Sequence, residues 1–187
     1  MPKTALLLID VINTFDFDGG EALLAQAQPT LQPIAGLLRR ARNNNVPIIY
    51  ANDNYGNWTE TFEALVERCR QPDCKGQPVV NALAPAPQDH FILKPKHSAF
   101  YLTPLDALLK QLAVSHLVLC GYAGDICVLF TANDAYMREY AVSVPADAVA
   151  SESAEGNDCA LTMLRENLGV ATRAAAEVRL GEPTLST

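Results

Sequence analysis

The sequence is short of what would mark a nucleic-acid, membrane or secreted protein. Positive charge is in deficit, with 14 Lys and Arg against 21 Asp and Glu and a formal net charge of −7. That balance gives no general attraction for phosphate backbones or anionic headgroups, so neither nucleic acid nor membrane is expected as a partner. No apolar run approaches the roughly 20 residues of a bilayer-spanning helix. The Leu-rich segment Ala5–Ile9 is far too short, and it lacks the small-residue cleavage site of a signal peptide. Cytoplasmic residence is the expectation. Cysteine is sparse and odd in number: Cys69, Cys74, Cys120, Cys127 and Cys159. Neither a disulfide framework nor a zinc-ligand spacing can be drawn from them. Histidine is limited to His90, His97 and His116, none with ligand spacing to Asp53. A Gly-x-Gly-x-x-Gly turn is missing after the first apolar run, which continues Asp10-Val11-Ile12-Asn13, so a dinucleotide-binding module is disfavoured. Neither metal nor cofactor is expected.

What is present is enough apolar material for a full core, 49% of 187 residues, and no repeat or linker to divide it. The expectation is a single domain over residues 1–187. Short Leu- and Val-rich runs alternate with helical patterns. Strands are expected at Ala5–Ile9, Val46–Ala51, Phe91–Leu93, His116–Cys120, Val142–Pro145 and Val170–Thr172. Helices are expected at Glu21–Arg42 (Pro29 and Pro33 interrupting its first half), Thr59–Arg70, Thr103–Leu112, Asp125–Tyr140 and Asn157–Leu168. Thr103 suits an N-cap with Pro104 at the first helical position. The segment between Arg70 and Phe91 reads as a Pro/Asp/Lys/Gly loop. Such alternation implies an α/β fold, a three-layer α/β/α sandwich around a six-stranded, mostly parallel, Rossmann-like sheet.

In such sheets ligands bind beyond the carboxyl ends of the strands. Asp10, Lys94 and the turn Gly121-Tyr122-Ala123-Gly124-Asp125-Ile126-Cys127 each follow a predicted strand. Cys127 sits at a helix start, where free N–H groups and the dipole favour a thiolate and offer an oxyanion hole. It reads equally as a buried structural thiol. Asp10 after an apolar strand is a general base or a loop-fixing carboxylate. Lys94 alone reads as a solvated strand-end lysine. Only the three together suggest catalysis.

These residues carry a resemblance. Leu6-Leu7-Leu8-Ile9-Asp10-Val11-Ile12-Asn13, Leu93-Lys94-Pro95-Lys96-His97-Ser98-Ala99-Phe100 and Gly121-Tyr122-Ala123-Gly124-Asp125-Ile126-Cys127-Val128 resemble, in order, three motifs of the isochorismatase-like cysteine hydrolases. The resemblance implies a triad of Asp10, Lys94 and Cys127, attack of the thiolate on a carbonyl, and a thioester hydrolysed by water. It also implies an oxyanion hole from the N–H groups of Ala123 and Cys127, a cis peptide from Tyr122 to Ala123, and a homodimer or homotetramer. Many members of the family have Thr where this chain has Gly124.

Within the family, true isochorismatases cleave a vinyl ether and generally lack the cysteine, so Cys127 points to the branch that cleaves C–N bonds of small amides, ureides or carbamoyl compounds. Nicotinamidases usually hold a metal through histidines near the second strand, where this chain has Asn52-Asp53-Asn54-Tyr55. Tyr122, Phe15 and Tyr55 are the candidates to line the substrate pocket. Phe17, Trp58 and Tyr101 read more readily as core or interface residues. An ether- or ester-cleaving enzyme, or a catalytically silent thiol sensor or scaffold, is the alternative.

Overall fold

The run Ala5-Leu6-Leu7-Leu8-Ile9 has no polar alternation because both its faces are covered. It forms β1 (Thr4–Ile9), every residue of which is buried. The computed structural model describes residues 3–181. In it β1 is the central strand of a six-stranded sheet ordered β3-β2-β1-β4-β5, in which β2 is Ile48–Asp53, β3 His90–Lys94, β4 His116–Tyr122 and β5 Ala141–Ser143. All its pairings are parallel.

The sixth strand is not where the sequence pattern puts it. Residues 170–172 make one isolated bridge, Ala171 to Ser143. The strand is instead β6 (Val149–Ala150), which pairs with the far end of β4 at Gly121 and Tyr122, after β5 has paired with its beginning. One edge of β4 is thus shared by two short partners.

Period-two alternation divides the side chains of the central strands between two cores. Leu6 and Leu8 of β1 and Val118 and Cys120 of β4 face α1 (Gly20–Ala27), α2 (Leu31–Asn43), α3 (Phe62–Arg70) and α4 (Gln77–Ala82). Ala5, Leu7 and Ile9, with Leu117 and Leu119, face α5 (Leu105–Gln111), α6 (Leu129–Met137) and α7 (Ala154–Leu168). The expected helix over 21–42 is two helices separated by a 3-10 turn, Gln28–Thr30, with Pro29 in its first turn. Helix α4 falls inside the expected loop, its Val79 and Val80 too short an apolar run to show a period. Helix α5 starts one residue later than expected, and the Thr103 hydroxyl accepts from Leu105 N–H at 3.2 Å.

β1 and β4 lie side by side where the strand order reverses, so their carboxyl ends frame the crevice of the sheet. The chain there is tightly packed. Gly121, at φ +113°, pairs with Ile9, and a Cβ on it would lie 2.1 Å from the Ile9 carbonyl oxygen. Only glycine fits that conformation and that approach.

Candidate active site

Three strand ends deliver three reactive groups to this crevice. Asp10 follows β1 in the left-handed region at φ 52°, which Asp tolerates better than most residues. Its Oδ1 accepts from Asp53 N–H at 2.7 Å. Lys94 ends β3, two strands away from β1. With strands about 4.8 Å apart, its extended side chain spans the width of β2. Its Nζ reaches Asp10 Oδ2 at 2.8 Å and lies 3.7 Å from Asp53 Oδ2. The same ammonium donates to Cys127 Sγ at 3.4 Å. Lys94 is wholly buried and Asp10 is 5% exposed, so the pair is desolvated and each charge depends on the other.

Cys127 stands in a π-helical turn, Gly124–Val128, that leads into α6. The Tyr122–Ala123 peptide before it is cis, as the resemblance implies. Both Ile126 N–H and Val128 N–H donate to the Ala123 carbonyl, at 3.2 and 3.0 Å. The N–H of Cys127 lies between these two donors in the turn.

The electrostatics follow from burial. Desolvation raises the Asp10 carboxyl above its ordinary value despite the opposing pull of Lys94. Burial by itself lowers Lys94, but Asp10, Cys127 and Asp53 together hold it above its ordinary value, so it stays an ammonium. Burial, reinforced by the Asp10 charge and opposed by Lys94, pushes the Cys127 thiol up to about 12. The resting thiol therefore keeps its proton, and beside it stands a carboxylate more basic than a free one. This arrangement suits proton transfer during nucleophilic attack rather than a standing thiolate.

The expected pocket aromatics divide. Phe15 and Tyr122 are fully buried in the core beneath α1 and α2, their ring centroids 6.2 Å apart, and the Tyr122 hydroxyl is hydrogen-bonded to Thr30 Oγ1 at 2.9 Å. Neither presents surface to the crevice, which corrects their place as lining residues. Adjacency to Cys127 in sequence set that expectation, but residue 122 is the last of β4 and its ring follows the strand's alternation into the core. Tyr55 is 45% exposed on the loop after β2, where Trp58 is 78% exposed. Phe17 and Tyr101 are exposed as well. Asp53, which follows the predicted second strand, and Ser151, which the sequence pattern does not mark, also matter here. Asp53 orients Asp10 through its backbone, and Ser151, just past β6, accepts from Asp125 N–H at 3.0 Å.

Among the described residues no group of three or more His, Cys, Asp or Glu side chains is arranged to hold a metal ion. Among those residues, too, no helix is long and apolar enough to cross a membrane. A cavity of about 890 Å³ opens at the opposite, amino-terminal end of the strands, beside Thr4, His116, Ser143 and Arg173, and none of the three reactive residues lines it.

This geometry has relatives. The family model of the isochorismatase domain matches residues 4–176. The isochorismatase family protein YaaI of Bacillus subtilis is 47% identical over 164 residues, covering 88% of this chain and 90% of the relative. The ureidoacrylate amidohydrolase RutB of Methylobacterium radiotolerans is 31% identical over 209 residues, covering 97% of this chain and 81% of the relative. Among solved structures, the N-carbamoylsarcosine amidase of Thermoplasma acidophilum superposes with a TM-score of 0.72 at 27% identity, covering 95% of this chain and 99% of that one. The match across nearly the whole described chain, with an acid, a lysine and a cysteine converging at the switch point of the sheet, means that the chain belongs to the isochorismatase family.

Proposed function

We propose that this chain is a cysteine hydrolase that cleaves a C–N bond of a small amide, ureide or carbamoyl compound through a thioester. One observation carries the reading: the Lys94 ammonium lies at once 2.8 Å from Asp10 and 3.4 Å from Cys127. As the sulfur attacks the substrate carbonyl carbon, its proton passes to Asp10. Lys94, charged throughout, stabilises first the carboxylate and then the developing thiolate. The carbonyl oxygen becomes an oxyanion that the N–H groups of Cys127 and Ala123 hold. Collapse of the tetrahedral adduct breaks the C–N bond, and the departing nitrogen takes the proton from Asp10. A water molecule then loses a proton to Asp10 as it attacks the thioester carbon; collapse of this second adduct breaks the C–S bond, and Asp10 returns the proton to the sulfur, re-forming the thiol.

The choice of carbamoyl and ureido substrates draws support from the relatives, a ureidoacrylate amidohydrolase and an N-carbamoylsarcosine amidase. Small amides, ureides and carbamoyl amino acids should be screened for ammonia release with wild type and Cys127→Ser. The reading expects release from at least one class that Cys127→Ser abolishes. Release that survives in Cys127→Ser overturns it.

A further inference from the structure

The turn that presents Cys127 is braced from outside by the segment that follows the sheet. Asp125 N–H, two residues before the nucleophile, donates to Ser151 Oγ at 3.0 Å. Ser151 is buried, and it is carried there by β6, whose pairing sets Ala150 beside Tyr122. The Ser151 hydroxyl in turn donates to Asn157 Oδ1 at 3.2 Å, in the first turns of α7. That carboxamide oxygen fills space above Gly124. A Cβ on Gly124 would lie 2.2 Å from Asn157 Oδ1 and 3.1 Å from Ser151 Oγ. The side chain of Asp125 closes the other side, its Oδ2 2.8 Å from where a Cβ on Gly156 would stand. Loop and helix are therefore interlocked at two glycines, and a buried hydroxyl joins them.

We propose that Ser151 and Asn157 are positioning residues of the nucleophile turn, Asn157 occupying the volume of the side chain that Gly124 lacks. The proposal rests on the reading of Cys127 as the nucleophile. With Asp125 N–H engaged by Ser151 and the Gly124 backbone pressed against Asn157, the turn has one seat. In that seat Sγ lies 3.4 Å from the Lys94 ammonium. Without the brace the turn can rotate about its single glycine, and a displacement of about 1 Å between reacting groups costs on the order of a hundredfold in rate.

A double-mutant cycle tests this. Asn157→Ala is expected to lower kcat about ten- to a hundredfold with KM within about twofold of wild type. Gly124→Ala is expected to be equally harmful while Asn157 is present, and nearly without further effect once Asn157→Ala has vacated the space. Ser151→Ala, which removes only the hydroxyl, is expected to act in the same direction as Asn157→Ala. Far-ultraviolet circular dichroism and urea midpoints verify that each variant folds. The proposal is overturned if the two substitutions multiply independently, or if Asn157→Ala keeps wild-type kcat. The same cycle read as the alkylation rate of Cys127 by peptide mass spectrometry needs no substrate. Coupling there without amide hydrolysis means that the brace stands and the amidase reading falls. Additivity there overturns the brace whatever the reaction.

Discussion

Replacing Lys94 with Met keeps an unbranched chain of similar length in a fully buried site and removes the charged ammonium with its hydrogen-bond donors. The cost follows from what is left behind. Asp10 is 5% exposed, and its Oδ2 loses the ammonium at 2.8 Å. Breaking a buried ion pair on one side destabilises a protein by about 3–5 kcal/mol, because an uncompensated charge remains in the interior. A domain whose whole stability is typically about 5–15 kcal/mol is left marginal by such a loss. The deficit depends on pH in a predictable direction. Burial already raises the Asp10 carboxyl, and without Lys94 nothing of comparable strength opposes that rise. Between the unfolded value near 3.9 and the raised folded value, the native state then binds more protons than the unfolded chain, so stability falls as pH rises. Lys94→Met should therefore be most impaired at neutral pH and recover toward wild type as the pH approaches about 4, where Asp10 is protonated and neutral.

Adding Asp10→Asn to Lys94→Met removes the stranded charge while keeping an oxygen for Asp53 N–H. That double variant should regain most of the lost stability while remaining inactive. Urea unfolding of the three proteins at pH 7 and pH 4.5, with m-values compared, measures all of these effects. A Lys94→Met protein that unfolds at the wild-type urea concentration at pH 7 refutes the reasoning. So does a double variant no more stable than the single one.

Other expectations follow from single contacts. Burial and the Asp10 charge hold the Cys127 thiol at about 12, so its iodoacetamide labelling should rise about tenfold per pH unit from pH 7 to 10. Exposed Cys159 should react first at pH 7, and faster labelling of Cys127 there contradicts a protonated resting thiol. Gly121→Ala places a Cβ 2.1 Å from the Ile9 carbonyl oxygen at φ +113° and should cost more than about 2 kcal/mol in urea unfolding; a midpoint equal to wild type argues against that packing. Thr61, which accepts from Ala64 N–H at 3.2 Å, caps α3, and Thr61→Ala should cost about 1 kcal/mol by the same assay. Elemental analysis of the purified protein should find no stoichiometric metal, because Asp53 is flanked by Asn52 and Asn54 rather than by histidine.

The parts of the fold legible in the sequence are those whose patterns are set by their own neighbours. The unbroken run Leu6-Leu7-Leu8-Ile9 announces a strand covered on both faces, and it is the centre of a parallel sheet. The sixth strand was not legible because nothing local makes one. Two residues, Val149 and Ala150, become a strand only because β5 stops at Ser143 and leaves the end of β4 unpaired. Val170–Thr172 has a β-branched residue at each end and the better strand composition, yet it makes a single isolated bridge, Ala171 to Ser143. Composition offers a strand, and vacant hydrogen-bonding groups on a neighbour decide where it forms.

The same distinction separates the parts of the site. Which residues meet is legible, because parallel strands put every residue that follows them at one edge of the sheet. What each side chain faces is not, because it depends on where alternation stops. Tyr122 is still in β4 and keeps its strand's alternation, so its ring goes to the core. Asp10 lies one residue past β1, and its positive φ breaks the alternation and turns its carboxylate into the crevice. The difference between a core aromatic and a reactive carboxylate is therefore a difference of one residue at a strand end. The proposed brace on the Cys127 turn lies further still from what the sequence can display. Gly124 and Asn157 are 33 positions apart and belong to different motifs, and only the packing of α7 across the end of β4 shows that the absence of a side chain at one is matched by the carboxamide of the other. A glycine that departs from a motif is thus read best by asking which side chain has moved into its place.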